Sequence, residues 1–319
     1  MIRPALILYA LLLMRCGSPE ANERVVLTYA DSLQIPKEPA TPQRSIIIEN
    51  DISMRHYFEA MDSICTSVDS VYNVSINEYE LVHTNPWIFD TLRAQDYYIA
   101  KSRGVIIDNQ KEQVALHAGD ALRIPTQAAT DSIRQMLRTI TIDVNIPEYT
   151  LRIMMADTVL HECPVRVGKN ERKYLALANH EVNLRTPIGE GSIIRIERNP
   201  LYINPVDGKR YKRTRRDDGH YTYLPRIPFL EPEINRIRSG ALIHPTTNLS
   251  TLGKAVSNGC VGLSEADAWL VYYYAPLGTS VLFRYDLEVP DKAGKTILLR
   301  DIYDQKGAEN QTSNDHPTD

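Results

Sequence analysis

Closely paired cysteines are missing from this chain. Its 319 residues hold four, Cys16, Cys65, Cys163 and Cys260, widely spaced and without a C-x-x-C, which argues against a zinc cluster. Cys65 and Cys163 either pair as a disulfide or stay free and buried; their spacing leaves both open. An excess of one charge is missing too. The net charge is −4 with 24% charged residues, so the basic footprint of nucleic-acid binders is lacking and no nucleic-acid partner is expected. The apolar stretch at residues 5–14 is too short to span a bilayer, which takes about 20 residues.

What is present begins with export. Arg3 followed by that apolar stretch has the build of a secretory signal. Leu13-Met14-Arg15-Cys16-Gly17-Ser18 resembles a bacterial lipoprotein processing site, with Cys16 as the lipidated residue and Arg15 where a small residue is usual. Residues 1–16 are thus expected to be a signal peptide. The implied location is the bacterial cell envelope, in the periplasm, with a lipid anchor on the membrane. Residues 17–44, with Pro36, Pro39 and Pro42, read as an extended tether.

The length allows two domains. Residues 45–125 read as a smaller mixed α/β region. Tyr57, Met61, Ile64 and Val68 share one helical face within residues 54–71, Asn85-Pro86-Trp87 opens a second helix, and Val105-Ile106-Ile107 reads as a short strand. His117 to Pro125 resembles the closing Gly-x-x-Leu-x-Ile-Pro of LysM glycan-binding modules, but no matching opening is recognisable around Tyr79. A scaffold role is preferred there. Residues 138–286 change character: 139–144, 149–155, 159–167 and 193–196 alternate or run apolar and end in turn residues, which reads as mainly β. Residues 287–319 read as a C-terminal tail, polar from 308 onward.

The chemistry centres on Ser257-Asn258-Gly259-Cys260-Val261-Gly262, with His244 sixteen residues before the cysteine. Ser264 is placed to cap a helix over residues 266–274, with Asp267 in capping-box position. A cysteine at such a junction has bare backbone N–H groups and a helix N-terminus nearby, both of which lower a thiol pKa and stabilise an oxyanion. The alternative is a buried cysteine acting as a small hydrophobe. The flanking glycines and the upstream Ile243-His244-Pro245 favour a nucleophile.

Ile243-His244-Pro245-Thr246, Gly253, Ser257-Asn258-Gly259-Cys260-Val261, Asp267 and Gly278-Thr279-Ser280-Val281 together resemble the catalytic signature of L,D-transpeptidases of the YkuD-like family. Thr186-Pro187-Ile188-Gly189 resembles that family's Thr-Pro-x-Gly element, which borders the catalytic cleft, and a tight turn between strands accounts for it equally well. Two positions depart: Asn258 stands where the family has a second histidine, and Gly262 where it has an arginine. The resemblance implies a YkuD-like β-sandwich with a helix after the cysteine, Cys260 as nucleophile and His244 as base. The N–H of Cys260, with that of Gly259 or a neighbour, would hold the oxyanion, Ser257 would either bond within the motif or only stabilise the turn, and Asn258, which cannot titrate near neutrality, would orient it. The reaction implied joins peptidoglycan stem peptides, donor and acceptor, through a thioester, with D-Ala leaving and a 3–3 cross-link formed. No cofactor or metal is needed. Hydrolysis of the same bonds by an L,D-carboxypeptidase or endopeptidase is the alternative, and a non-catalytic peptidoglycan-binding lipoprotein is the alternative of another class. The basic run Lys209, Arg210, Lys212, Arg213, Arg215 and Arg216 is either a solvated loop or an attractor of stem-peptide carboxylates.

Overall fold

Tyr57, Met61 and Val68 recur at helical spacing, and the computed structural model buries all three on helix α1, Tyr57–Tyr72, with Ile64 half-buried. The structure describes residues 44–291 and 293–305; Cys16, the signal peptide and the tether up to residue 43 lie outside the described residues, as does the polar end from residue 306. Helix α2, Glu78–Thr84, starts on a capping box in which the Glu80 carboxylate accepts from the Asn77 N–H at 2.7 Å. Helix α3, Trp87–Ala94, follows Asn85-Pro86 as expected. Helices α4, Tyr97–Ser102, and α5, Gln127–Arg138, are capped by Asp96 and Thr126. The strand expected at Val105-Ile106-Ile107 does not form. That stretch is irregular, with Val105 51% and Ile106 49% exposed; β-branched residues make a strand only where another strand pairs with them. Two short strands form further on instead, Val114–Leu116 against Ile52–Ser53 and, within the LysM-like ending, Ala121–Arg123 against Ser45–Ile47.

From residue 140 the chain is mainly β, as the alternation implies. Ile140, Ile142 and Val144 are buried on strand β1, Ile140–Asn145, because alternate side chains of a strand share a face. The main sheet adds β2, Thr150–Met155, β3, Thr158–Pro164, β4, Gly189–Glu197, and β5, Phe229–Ile234. It is completed by β6, Ile243–Pro245, β7, Val261–Leu263, and β8, Ser280–Arg284. The spatial order is β7-β6-β5-β4-β8-β1-β2-β3. Within this sheet, among the described residues, β6–β7 and β8–β1 are the parallel pairs.

Helix α6, Glu265–Tyr274, follows β7 and is capped as its sequence suggests: the Ser264 hydroxyl accepts from the Asp267 N–H at 3.0 Å and donates to the Asp267 carboxylate at 2.6 Å. Every residue of α6 except Asp267 is buried. A helix apolar all round must be covered on every side, and the N-terminal helices cover it. The Tyr57 and Tyr273 hydroxyls meet at 2.6 Å, Phe58 and Trp269 rings lie 6.0 Å apart, and His83 Nε2 donates to the Tyr273 carbonyl at 3.0 Å. Residues 45–125 therefore share one core with the helix behind Cys260.

The folded part also runs past residue 286. Glu288–Pro290 pairs with Thr296–Leu298, and Tyr303 is 1% exposed, so the expected tail joins the fold as far as this tyrosine. Among the described residues, no helix is long and apolar enough to cross a membrane.

Candidate active site

Strands β6 and β7 lie side by side with Ile243 opposite Val261 and His244 opposite Gly262. Cys260 sits two residues before Gly262, so strand alternation puts its side chain on the face that carries His244. The Leu242 N–H, just before β6, donates to Cys260 Sγ at 3.4 Å. Nδ1 of His244 lies 2.8 Å from the Pro245 carbonyl oxygen. A carbonyl only accepts, so Nδ1 carries the proton and Nε2 is the basic nitrogen. The Phe229 ring of β5 packs against the imidazole at 5.1 Å. His244 and Cys260 make no direct hydrogen bond among the described residues; catalytic contacts often tighten only when substrate is bound.

The turn bearing the cysteine is fixed from several directions. The Ser257 hydroxyl donates to the Cys260 carbonyl at 2.6 Å and accepts from the Gly259 N–H at 3.2 Å. Gly259 has φ +107°, a conformation that favours glycine. Its carbonyl accepts from the Thr186 hydroxyl at 3.0 Å, and that same hydroxyl accepts from the Gly168 N–H at 2.8 Å. The Tyr303 hydroxyl donates to the Gly168 carbonyl at 2.7 Å and accepts from the Thr186 N–H at 2.9 Å. The Gly259 N–H is thus engaged with Ser257, which leaves the Cys260 N–H as the donor open to an oxyanion. Asn258 is half-buried, and its side chain makes no hydrogen bond among the described residues, so Ser257 and Thr186 hold the turn instead.

The expectation of a depressed thiol pKa is overturned. Burial pushes the Cys260 thiol above its ordinary value, and the Leu242 N–H and the Arg166 charge pull it back only in part. The reason is positional: α6 begins at Glu265, beyond the whole of β7, so its positive end is not at Cys260. Burial, then the Arg166 charge, lowers the His244 imidazole to about 4 against the opposing pull of the Pro245 carbonyl. Near neutrality the resting pair is a neutral thiol and a neutral imidazole, and the proton must move as sulfur attacks.

Other expected residues are dispersed. Arg216 is 2% exposed, pairs with Glu265 at 2.6 Å and lies over the Tyr97 ring at 4.5 Å, so it is a core residue and not part of a solvated loop. Lys209, Arg210, Lys212, Arg213 and Arg215 are exposed. Ring contacts from Tyr211 to Tyr202 (6.1 Å), Tyr202 to Phe229 (5.2 Å) and Phe229 to His244 tie their segment to the site. Cys65 and Cys163 are free and buried, which settles the open pairing. Among the described residues, ligand atoms of His161, Cys163 and Asp267 come within 4.8 Å of one another, but a 2.9 Å His161–Asp267 hydrogen bond and the Ser264 cap already engage the histidine and the carboxylate. Sequence reasoning missed Tyr303 and Arg166; the Thr-Pro-x-Gly element did point to Thr186.

Residues 139–283 match the family model of YkuD, the L,D-transpeptidase catalytic domain. Among solved structures, the chain is similar to an L,D-transpeptidase from Mycobacterium smegmatis, at 17% identity and TM-score 0.32, covering 46% of this chain and 58% of that one. It is similar to L,D-transpeptidase 3 from Mycobacterium tuberculosis in complex with a faropenem-derived adduct, at 20% identity and TM-score 0.32, covering 46% and 60%. An L,D-transpeptidase from Xylanimonas cellulosilytica aligns at 15% identity and TM-score 0.33, covering 77% of this chain and 100% of that one. The chain spans 58% and 60% of the two mycobacterial structures. No curated protein matches it. Likeness at this level assigns no role to any residue.

Proposed function

Residues 139–283 are a YkuD-type catalytic domain, and from that premise we propose that the chain is a cysteine-dependent peptidoglycan L,D-transpeptidase. The carrying observation is that His244, in register with Gly262 two residues after Cys260, has Nδ1 held to the Pro245 carbonyl at 2.8 Å, which leaves Nε2 as the basic nitrogen. As Sγ attacks the carbonyl of the bond between a diamino acid and D-Ala, Nε2 of His244 takes the thiol proton. The Cys260 N–H stabilises the oxyanion. The intermediate collapses to a thioester, and His244 returns the proton to the departing D-Ala amine. An amine of a second stem then attacks the thioester while Nε2 takes its proton, which gives a 3–3 cross-link and restores the thiol.

Muropeptide mass spectrometry after incubation with purified protein tests this. The expected products are 3–3 cross-linked stems with release of D-Ala, both lost in Cys260→Ala and in His244→Ala, since nucleophile and base act as one unit. Shortened stems without cross-links would make the chain a hydrolase, and unchanged stems a binding protein. Envelope anchoring through Cys16 remains part of the proposal. Detergent should be needed to extract the native protein, and Cys16→Ser should release it or leave it unprocessed, because stable anchoring takes more than one acyl chain.

A further inference from the structure

Gly262 and Arg166 form a two-way backbone bridge: the Arg166 N–H donates to the Gly262 carbonyl at 2.9 Å, and the Gly262 N–H to the Arg166 carbonyl at 3.0 Å. The arginine side chain runs directly over the glycine. A Cβ on residue 262 would lie 2.5 Å from Arg166 Nε and 2.8 Å from its Cγ, closer than any real contact. Position 262 is in register with His244 and two residues from Cys260, so the guanidinium stem crosses the face that carries both. Its Nε is buried without a hydrogen-bond partner, and no carboxylate of the described residues pairs with Arg166. The side chain as a whole is half-buried, and a guanidinium with a dry Nε and no carboxylate partner is a ready site for an anion.

We infer that Arg166 anchors a carboxylate of the acyl donor, reaching across Gly262 to hold it beside Cys260. This rests on the stem-peptide reading above. The carboxylate within reach is the C-terminal one of the departing D-Ala, because it lies a single residue beyond the scissile carbonyl and successive Cα atoms are about 3.8 Å apart. Guanidinium suits that task through its planar fork of donors, which matches a carboxylate in two parallel hydrogen bonds. The positive charge also acts on the catalytic pair, lowering both the thiol and the imidazole of His244. Burial is the larger cause of the depressed imidazole and the Arg166 charge the second, so donor binding would relieve the Arg166 part alone and make His244 a somewhat stronger base once the substrate is seated.

The test is binding without turnover. In a Cys260→Ala chain, calorimetry compares a stem tetrapeptide ending in D-Ala with the same peptide amidated at its C-terminus. Amidation is expected to weaken binding at least about tenfold, the scale of a charge-assisted hydrogen bond. Adding Arg166→Gln should weaken the free acid to the level of the amide and leave the amide unchanged. Arg166→Lys keeps the stem over Gly262 and should retain part of the preference, which guards against a Gln variant that misfolds. Pairing Arg166→Ala with Gly262→Arg should restore it from the opposite strand. A preference that survives Arg166→Gln, or an equal loss for both peptides, overturns the inference. So does failure of either peptide to bind the Cys260→Ala chain; carbapenem acylation of Cys260 in the native chain, scored separately, then tells whether the transpeptidase reading falls with it.

Discussion

Arg216→Met would remove the cation that lets Glu265 begin α6 inside the core. The two side chains are 0% and 1% exposed and meet at 2.6 Å. Glu265 also accepts from the Tyr97 N–H at 3.0 Å and from the Gln110 amide at 2.5 Å, while Arg216 Nε donates to the Thr222 hydroxyl at 2.8 Å. Methionine keeps much of the volume and leaves a buried carboxylate without its counter-ion, a change that costs about 3–5 kcal/mol. For a folded part of this size that is a fall in Tm of roughly 6–20 °C. The loss should depend on pH, and its sign follows from the carboxylate. Burial already raises the Glu265 pKa, with Arg216 its strongest opponent, so removing Arg216 raises it further above the unfolded value of about 4.3. Between those two values the folded chain holds a proton that the unfolded chain releases. Stability is thus retained below the unfolded pKa and lost as pH rises, at up to about 1.4 kcal/mol per unit. Urea denaturation of parent and variant at pH 5 and pH 8 should show the larger deficit at pH 8, and Glu265→Gln in the variant background should recover much of it. A deficit under about 1 kcal/mol, or one equal at both pH values, would refute the reasoning.

Three further outcomes follow from the site. Alkylation of Cys260 by iodoacetamide should have its midpoint above the ordinary thiol value of about 8.5 and move higher still in Arg166→Gln, since burial raises the thiol and Arg166 opposes it; a plateau below pH 7 would contradict this. Acylation by a carbapenem should stay nearly flat from pH 5 to 8 and fall only near pH 4, where the depressed His244 imidazole finally protonates and stops serving as base; stopped-flow rates with a midpoint at 6.5 would show an unperturbed histidine. Thr186→Val removes a donor to Gly259 and an acceptor for Gly168, so it should cost about 1–3 kcal/mol in urea denaturation and slow acylation.

Local signals were legible where one face of an element is buried by its own neighbours. Tyr57, Met61 and Val68 mark α1, Ser264 and Asp267 mark the start of α6, and the alternation at 140–144 marks β1. Helix α5 escaped notice because its buried stripe is narrow, Thr130, Ile133 and Leu137, although Thr126 was a fair cap. Val105-Ile106-Ile107 misled because propensity says nothing about whether a partner strand is at hand. What covers α6 was not readable at all: a run of ten residues with nine buried has no polar face to show which side meets what. In the site, motif spacing paired Cys260 with His244, but reading a helix end beside the thiol ignored the three residues of β7 that separate Cys260 from α6.

Each of the two departures from the motif has its own physical explanation in the structure. Position 258 borders a turn that Ser257, Thr186 and, through Gly168, Tyr303 already fix, so no histidine is required there to hold the cysteine in place. Position 262 is different, because its backbone supports Arg166 and its missing side chain makes room for it. Even alanine there would meet Nε at 2.5 Å and Cγ at 2.8 Å, and Cγ is not a flexible tip that swings away at little cost. Gly262→Ala should therefore displace Arg166 and reproduce the shift in thiol alkylation expected of Arg166→Gln, with Cys260 and His244 untouched. If Gly262→Ala alkylates with the parent's pH profile while Arg166→Gln does not, the glycine is no clearance for the arginine. The two residues would then be linked by their backbone bridge alone.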